Sequence, residues 1–103
     1  MLLGSGCVST KNELYNRIES LICIREYAKA KRICNNPDYI NDAKVQLQLM
    51  EIYYIEHDYD SVIKIGTRPE FRDVVGIQLK LTQTYMLIGR YDDALSLCER
   101  NVF

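Results

Sequence analysis

Tyr27, Tyr59 and Tyr91 lie 32 residues apart, and much of the chain keeps that interval. Pro37 and Pro69 share it, as do Tyr39, Phe71 and Phe103. So do Gln46 and Gln78, Leu47 and Leu79, Leu49 and Leu81, and Tyr53 and Tyr85. A period in this range marks a chain built from one supersecondary unit that buries its apolar face only by stacking on its neighbours. The interval also bears on function, because stacked repeats mostly present surfaces that bind other molecules.

Each unit has the pattern of two antiparallel helices. In the middle unit the first helix is expected over 41–57, where Val45, Leu49, Met50 and Ile52 spread beyond a single helical stripe. The corresponding helix of the third unit is expected over 73–88. Such width suits helices sandwiched between two neighbours. Shorter second helices are expected over 27–35, 59–65 and 91–100, with apolar steps of three and four residues. Asn35-Asn36-Pro37 and Gly66-Thr67-Arg68-Pro69 punctuate the units. Asp58 and Gly89 fall in the tight turn within a pair, where Gly89 supplies a positive φ. The first helix of the first unit, 11–25, is more polar, as an end of a stack facing water requires. The units are thus 11–37, 38–69 and 70–103, preceded by a flexible tail over 1–10. The third unit's second helix has no partner after it, which predicts self-association through that end.

Composition narrows the function. The 103 residues suffice for one domain, and 48% hydrophobic against 26% charged content is that of a chain with a core. The formal net charge is −1 with scattered cations, which argues against binding nucleic acid by neutralising phosphates. No apolar run reaches the roughly 20 residues that span a bilayer. Cys7, Cys23, Cys34 and Cys98 include no CxxC pair, and His57 is the single histidine, so the spacing supports no metal site. Cys23, Cys34 and Cys98 sit in apolar stretches and are expected to be small buried hydrophobes in a reducing compartment, the cytoplasm. A Cys34–Cys98 disulfide is not expected across two units. The segment Leu3-Gly4-Ser5-Gly6-Cys7 partly resembles a bacterial lipobox, but lacks a basic region and an apolar stretch before it. It would mark an exported lipoprotein only if the true start lay upstream.

These residues resemble the tetratricopeptide repeat, a helix–turn–helix motif with leucine, a small residue, an aromatic, glycine, an aromatic and alanine in order. The third unit matches with Leu81, Thr82, Tyr85, Gly89, Tyr91 and Ala94. The middle unit matches with Leu49, Tyr53, Tyr59 and Val62, with His57 where glycine is usual. The first keeps Tyr27 and Ala30. The interval is 32 rather than 34, and Cys34, Gly66 and Cys98 stand where larger residues are usual, so closer packing of the second helices is expected. The resemblance implies an all-α, right-handed superhelical stack of about three antiparallel hairpins, with the first helices lining a concave face that holds peptides or partner helices.

By that alignment the exposed concave positions are Lys44, Gln48, Glu51, Ile55, Lys80, Gln83 and Leu87. Glu51 and Gln83 occupy places where a clamp for a terminal carboxylate would want asparagine, and Leu47 and Leu79 places where it would want polar groups. The face therefore suits an amphipathic segment of a protein partner. Tyr27, Tyr53, Tyr59, Tyr85 and Tyr91 are expected in the core, and Tyr54 near the groove. His57 has no nucleophile beside it in the sequence, and Gly4 and Gly6 are not followed by the Lys-Ser/Thr of a phosphate loop. No catalytic residue, cofactor or metal is expected. The expected role is a non-enzymatic protein-interaction module; alternatives are a structural or oligomerisation domain of a longer protein, or the body of a lipoprotein.

Overall fold

The computed structural model describes the backbone of residues 3–101 and the side chains of 11–100. Phe103 and the side chain of Cys7, both used in the sequence reading, lie outside those described residues. Among the described residues six α-helices follow one another: α1 (Leu3–Cys23), α2 (Tyr27–Cys34), α3 (Ala43–Ile55), α4 (Tyr59–Gly66), α5 (Val75–Leu87) and α6 (Tyr91–Asn101). Single 3-10 turns at Pro37–Tyr39 and Pro69–Phe71 precede α3 and α5. Among the described residues there is no strand. From Tyr27 onward the period governs the backbone itself: α2, α4 and α6 start 32 residues apart, and both ends of α3 and α5 are offset by 32. Residues 3–10, expected as a tail, continue α1.

The reversals within each pair are built alike. Arg25, His57 and Gly89 have φ of 65°, 63° and 83°, again at intervals of 32. The N–H groups of Glu26, Asp58 and Arg90 each reach back five residues, to the carbonyls of Leu21, Tyr53 and Tyr85, at 2.8 Å. This is the Schellman ending, in which a left-handed residue lets the chain satisfy the last carbonyls of a helix. Glycine takes that conformation without steric cost, whereas Arg25 and His57 hold it against their Cβ atoms. Helix starts are less regular. The Asp42 carboxylate accepts from the N–H groups of Lys44 and Val45 at 3.1 Å and caps α3. Asp58 caps α4 through the Ser61 N–H at 3.3 Å. Val74, at the start of α5, offers no side-chain cap.

Each helix packs on the next in the chain, and α3 packs on both α1 and α5. The outline is elongated, 54 × 26 × 21 Å. The buried positions repeat with the backbone: Ala30, Val62 and Ala94; Val45 and Ile77; Leu49 and Leu81. Cys34 and Gly66 are buried where α2 and α4 meet the following first helix. A Cβ on Gly66 would stand 3.1 Å from both Leu81 Cδ1 and Met50 Cε, so this glycine sets a close approach of α4 to α5. Phe71 is 2% exposed, a burial worth about 2–3 kcal/mol.

Two buried amides repeat as well. Gln46 gives an amide N–H to the Tyr39 carbonyl at 3.0 Å, and Gln78 gives one to the Phe71 carbonyl at 2.9 Å. Each ties its helix to the preceding 3-10 turn. Arg68 and Arg100, 32 residues apart, donate to the Oε1 atoms of Gln46 and Gln78 at 3.4 and 2.8 Å.

Three expectations are corrected. Cys23 and Cys98 are exposed; of the three described cysteines, all free, Cys34 alone is buried. Its thiol is pushed up to about 11 by burial. Tyr91 is 67% exposed rather than in the core. Its counterpart Tyr59 packs edge-on against Tyr54 at 5.8 Å, and the residue equivalent to Tyr54 in the third unit is the exposed Met86.

Candidate functional site

Successive helical residues turn by about 100°, so α3 and α5 each present two opposed faces. On α3, Lys44, Leu47, Gln48 and Glu51 share one face; on α5, Gly76, Leu79, Lys80 and Gln83 share the equivalent one. With Glu19 and Ile22 of α1 these line one cleft of about 510 Å³. Five of the seven predicted residues thus come together: Lys44, Gln48, Glu51, Lys80 and Gln83. Ile55 and Leu87 do not line it; they are 37% and 54% exposed at the last residues of α3 and α5.

The five are not equivalent. Gln48 was expected to be exposed but is buried, because its amide N–H bonds the Tyr15 carbonyl of α1 at 2.9 Å. Its Oε1 is buried with no hydrogen-bond partner among the described residues. Since only the amide nitrogen can donate to a carbonyl, that bond fixes which end of the amide is left over. Lys80 is mostly covered. It pairs with Glu51 at 2.7 Å and lies 4.4 Å from the Tyr54 ring centroid, so it joins α5 to α3. Lys44 reaches 5.1 Å from the Tyr15 ring centroid, yet the residue is exposed. Gln83 is exposed. The charge of the cleft is balanced, with Glu19 and Glu51 against Lys44 and Lys80, and Glu51 and Lys80 satisfy each other. Leu47 and the 42% exposed Leu79 supply an apolar floor.

Glu19 was missed, although the period itself would have found it: Glu19, Glu51 and Gln83 are 32 residues apart. Gly76, 32 residues after Lys44, carries the same signal, whereas Ile22 carries none, since its counterpart Tyr54 does not line the cleft. Ahead of the cleft, Asp42 locks α1 to the start of α3. The Tyr15 hydroxyl donates to it at 3.0 Å and Lys11 pairs with it at 3.2 Å. Burial pushes the Asp42 carboxyl up, but the Val45 N–H, the Tyr15 hydroxyl and Lys11 together outweigh that and hold it below the ordinary range.

His57, in its left-handed turn, shares a 2.8 Å hydrogen bond between Nδ1 and the Tyr59 hydroxyl. Among the described residues no three His, Cys, Asp or Glu side chains gather to hold a metal ion, and no helix is long and apolar enough to cross a membrane. No protein-family model, curated protein or solved structure matches the chain significantly.

Proposed function

We propose that this chain is a non-enzymatic interaction module, a short tetratricopeptide-like stack whose α1–α3–α5 cleft holds an amphipathic segment of a protein partner. The observation that carries the reading is the gathering of Lys44, Glu51, Lys80 and Gln83 around the apolar floor of Leu47 and Leu79. A segment with one apolar stripe would cover the leucines and set its polar flanks against Lys44 and Gln83. The 32-residue register of helices, turns and buried positions supports a right-handed superhelical stack of hairpins. The test is a selection of peptides from a displayed library on the immobilised chain. Selected peptides should lose binding to a Leu79→Glu variant that melts at the unaltered temperature. Indifference of every selected amphipathic peptide to that variant would refute the reading.

A second reading, a structural or self-associating domain, is favoured by the exposed apolar face of α5 and α6. Met86 and Leu95 are 55% and 57% exposed, whereas their counterparts Tyr54 and Ile63 are half-buried. Light scattering at tens of micromolar would show a dimer that Leu95→Glu dissociates; a monomer at that concentration would dismiss it.

A further inference from the structure

The opposite faces of α3 and α5 border two more clefts, and these too are related by the period. One, of about 380 Å³, includes Gln46, Leu49, Ile65 and Arg68; the other, of about 470 Å³, includes their counterparts Gln78, Leu81, Leu97 and Arg100. Arg68 borders both. Their chemistry differs. Around the first cleft the Arg68 guanidinium is well supplied: it donates to the Ile40 carbonyl at 2.8 Å, to Asn41 Oδ1 at 3.2 Å and to Glu70 at 2.6 Å. Among the described residues, Arg100 makes the glutamine bond alone of those counterparts. The second cleft also gains Arg72 where the first has Ile40. Among the described residues no carboxylate stands within ion-pair distance of Arg72 or Arg100. Asp93 lines the same cleft but is held by Arg90 at 2.8 Å.

We propose that the cleft between α5 and α6 binds an acidic segment of a partner protein, separately from the α1–α3–α5 cleft. Arg72 and Arg100 offer forked donors that match carboxylates, above the nearly closed core side chains Leu81 and Leu97. A segment with closely spaced acidic side chains meets both arginines. Nucleic acid fits less well. The Tyr85 ring is only 7% exposed and gives no face for stacking a base, and the cations form a local cluster on a chain of net charge −1.

The test uses the full chain and a fluorescein-labelled peptide Glu-Leu-Glu-Glu-Leu-Glu, with its glutamine counterpart as control. Anisotropy should show the acidic peptide binding about tenfold more tightly than the control, and Arg72→Glu, at an exposed position, should abolish that preference. Amide resonances of Thr67 and Ser96 should shift on titration. Equal affinity for both peptides, an unchanged Arg72→Glu variant, shifts at Lys44 and Gln83 instead, or tighter binding of an oligouridylate would each overturn the proposal. Because this cleft borders the opposite face of α5, failure here leaves the other cleft's role untouched.

Discussion

Arg100 donates to Gln78 Oε1 at 2.8 Å across 22 residues of chain. The same amide gives its N–H to the Phe71 carbonyl at 2.9 Å and lies 3.3 Å from the Gly66 carbonyl. One buried side chain therefore joins the end of α4, the 3-10 turn, α5 and α6. Leucine at this position would leave the carbonyls without their donor and Arg100 without its acceptor. Gln78→Leu should lower stability by about 2 kcal/mol. Urea unfolding measures it, and a change under about 0.5 kcal/mol would show the amide to be dispensable. A double-mutant cycle with Arg100→Ala should give non-additive losses.

The three left-handed turn residues predict opposite signs for similar changes. Arg25→Gly and His57→Gly should each raise stability by about 0.5–1 kcal/mol, since glycine relieves the Cβ strain but has more freedom to lose on folding. Gly89→Ala should lower it by about 1 kcal/mol. Thermal melts of the three variants check this; destabilisation by both glycine substitutions would mean that the Arg25 and His57 side chains contribute more than their backbone costs.

Asp42 predicts a pH dependence. Its carboxyl titrates lower in the folded chain than in the unfolded one. Its stabilising contribution is therefore full above the unfolded value of about 4 and is lost as pH falls through the folded value. Asp42→Asn, which keeps a capping oxygen but loses the charge, should cost about 0.5–1 kcal/mol at pH 7, and the gap from the unaltered protein should close as pH falls below about 4. Unfolding curves at pH 7 and pH 3 would show it; a gap that persists undiminished at pH 3 would contradict the assignment.

The cysteines should react in two classes. In a Cys7→Ser background at pH 8, an aromatic disulfide reagent should label Cys23 and Cys98 at once. Cys34, buried and with its thiol pushed up to about 11, should react only as the chain opens. Equal rates for all three would mean that α2 does not stay packed.

The sequence revealed the helices and their period because the residues that set them are local. Tyr27, Tyr59 and Tyr91 begin helices, prolines mark the 3-10 turns, and Gly89 ends α5. Arg25 and His57 were harder: their left-handed conformation is imposed by the repeat against their own preference. Exposure was legible only in part. Gln48 has the polarity of a surface residue, yet a bond to a carbonyl of α1 buries it, and that partner is 33 residues away. Lys80 likewise has the look of a free cation until Glu51 and the Tyr54 ring are brought beside it. Cys98 and Tyr91 repeat the chemistry of buried or half-buried counterparts, but among the described residues no helix follows to cover them. The arginine cleft arises from turn, α5 and α6 together, which no single segment announces.

The most direct test of the proposed role is an amide-resonance map of the chain titrated with a non-acidic amphipathic peptide selected on it. Shifts should concentrate at Glu19, Lys44, Leu79 and Gln83, around one cleft, and Leu79→Glu should remove them while the fold persists. Shifts scattered over α2, α4 and α6, or binding that survives Leu79→Glu, would contradict it.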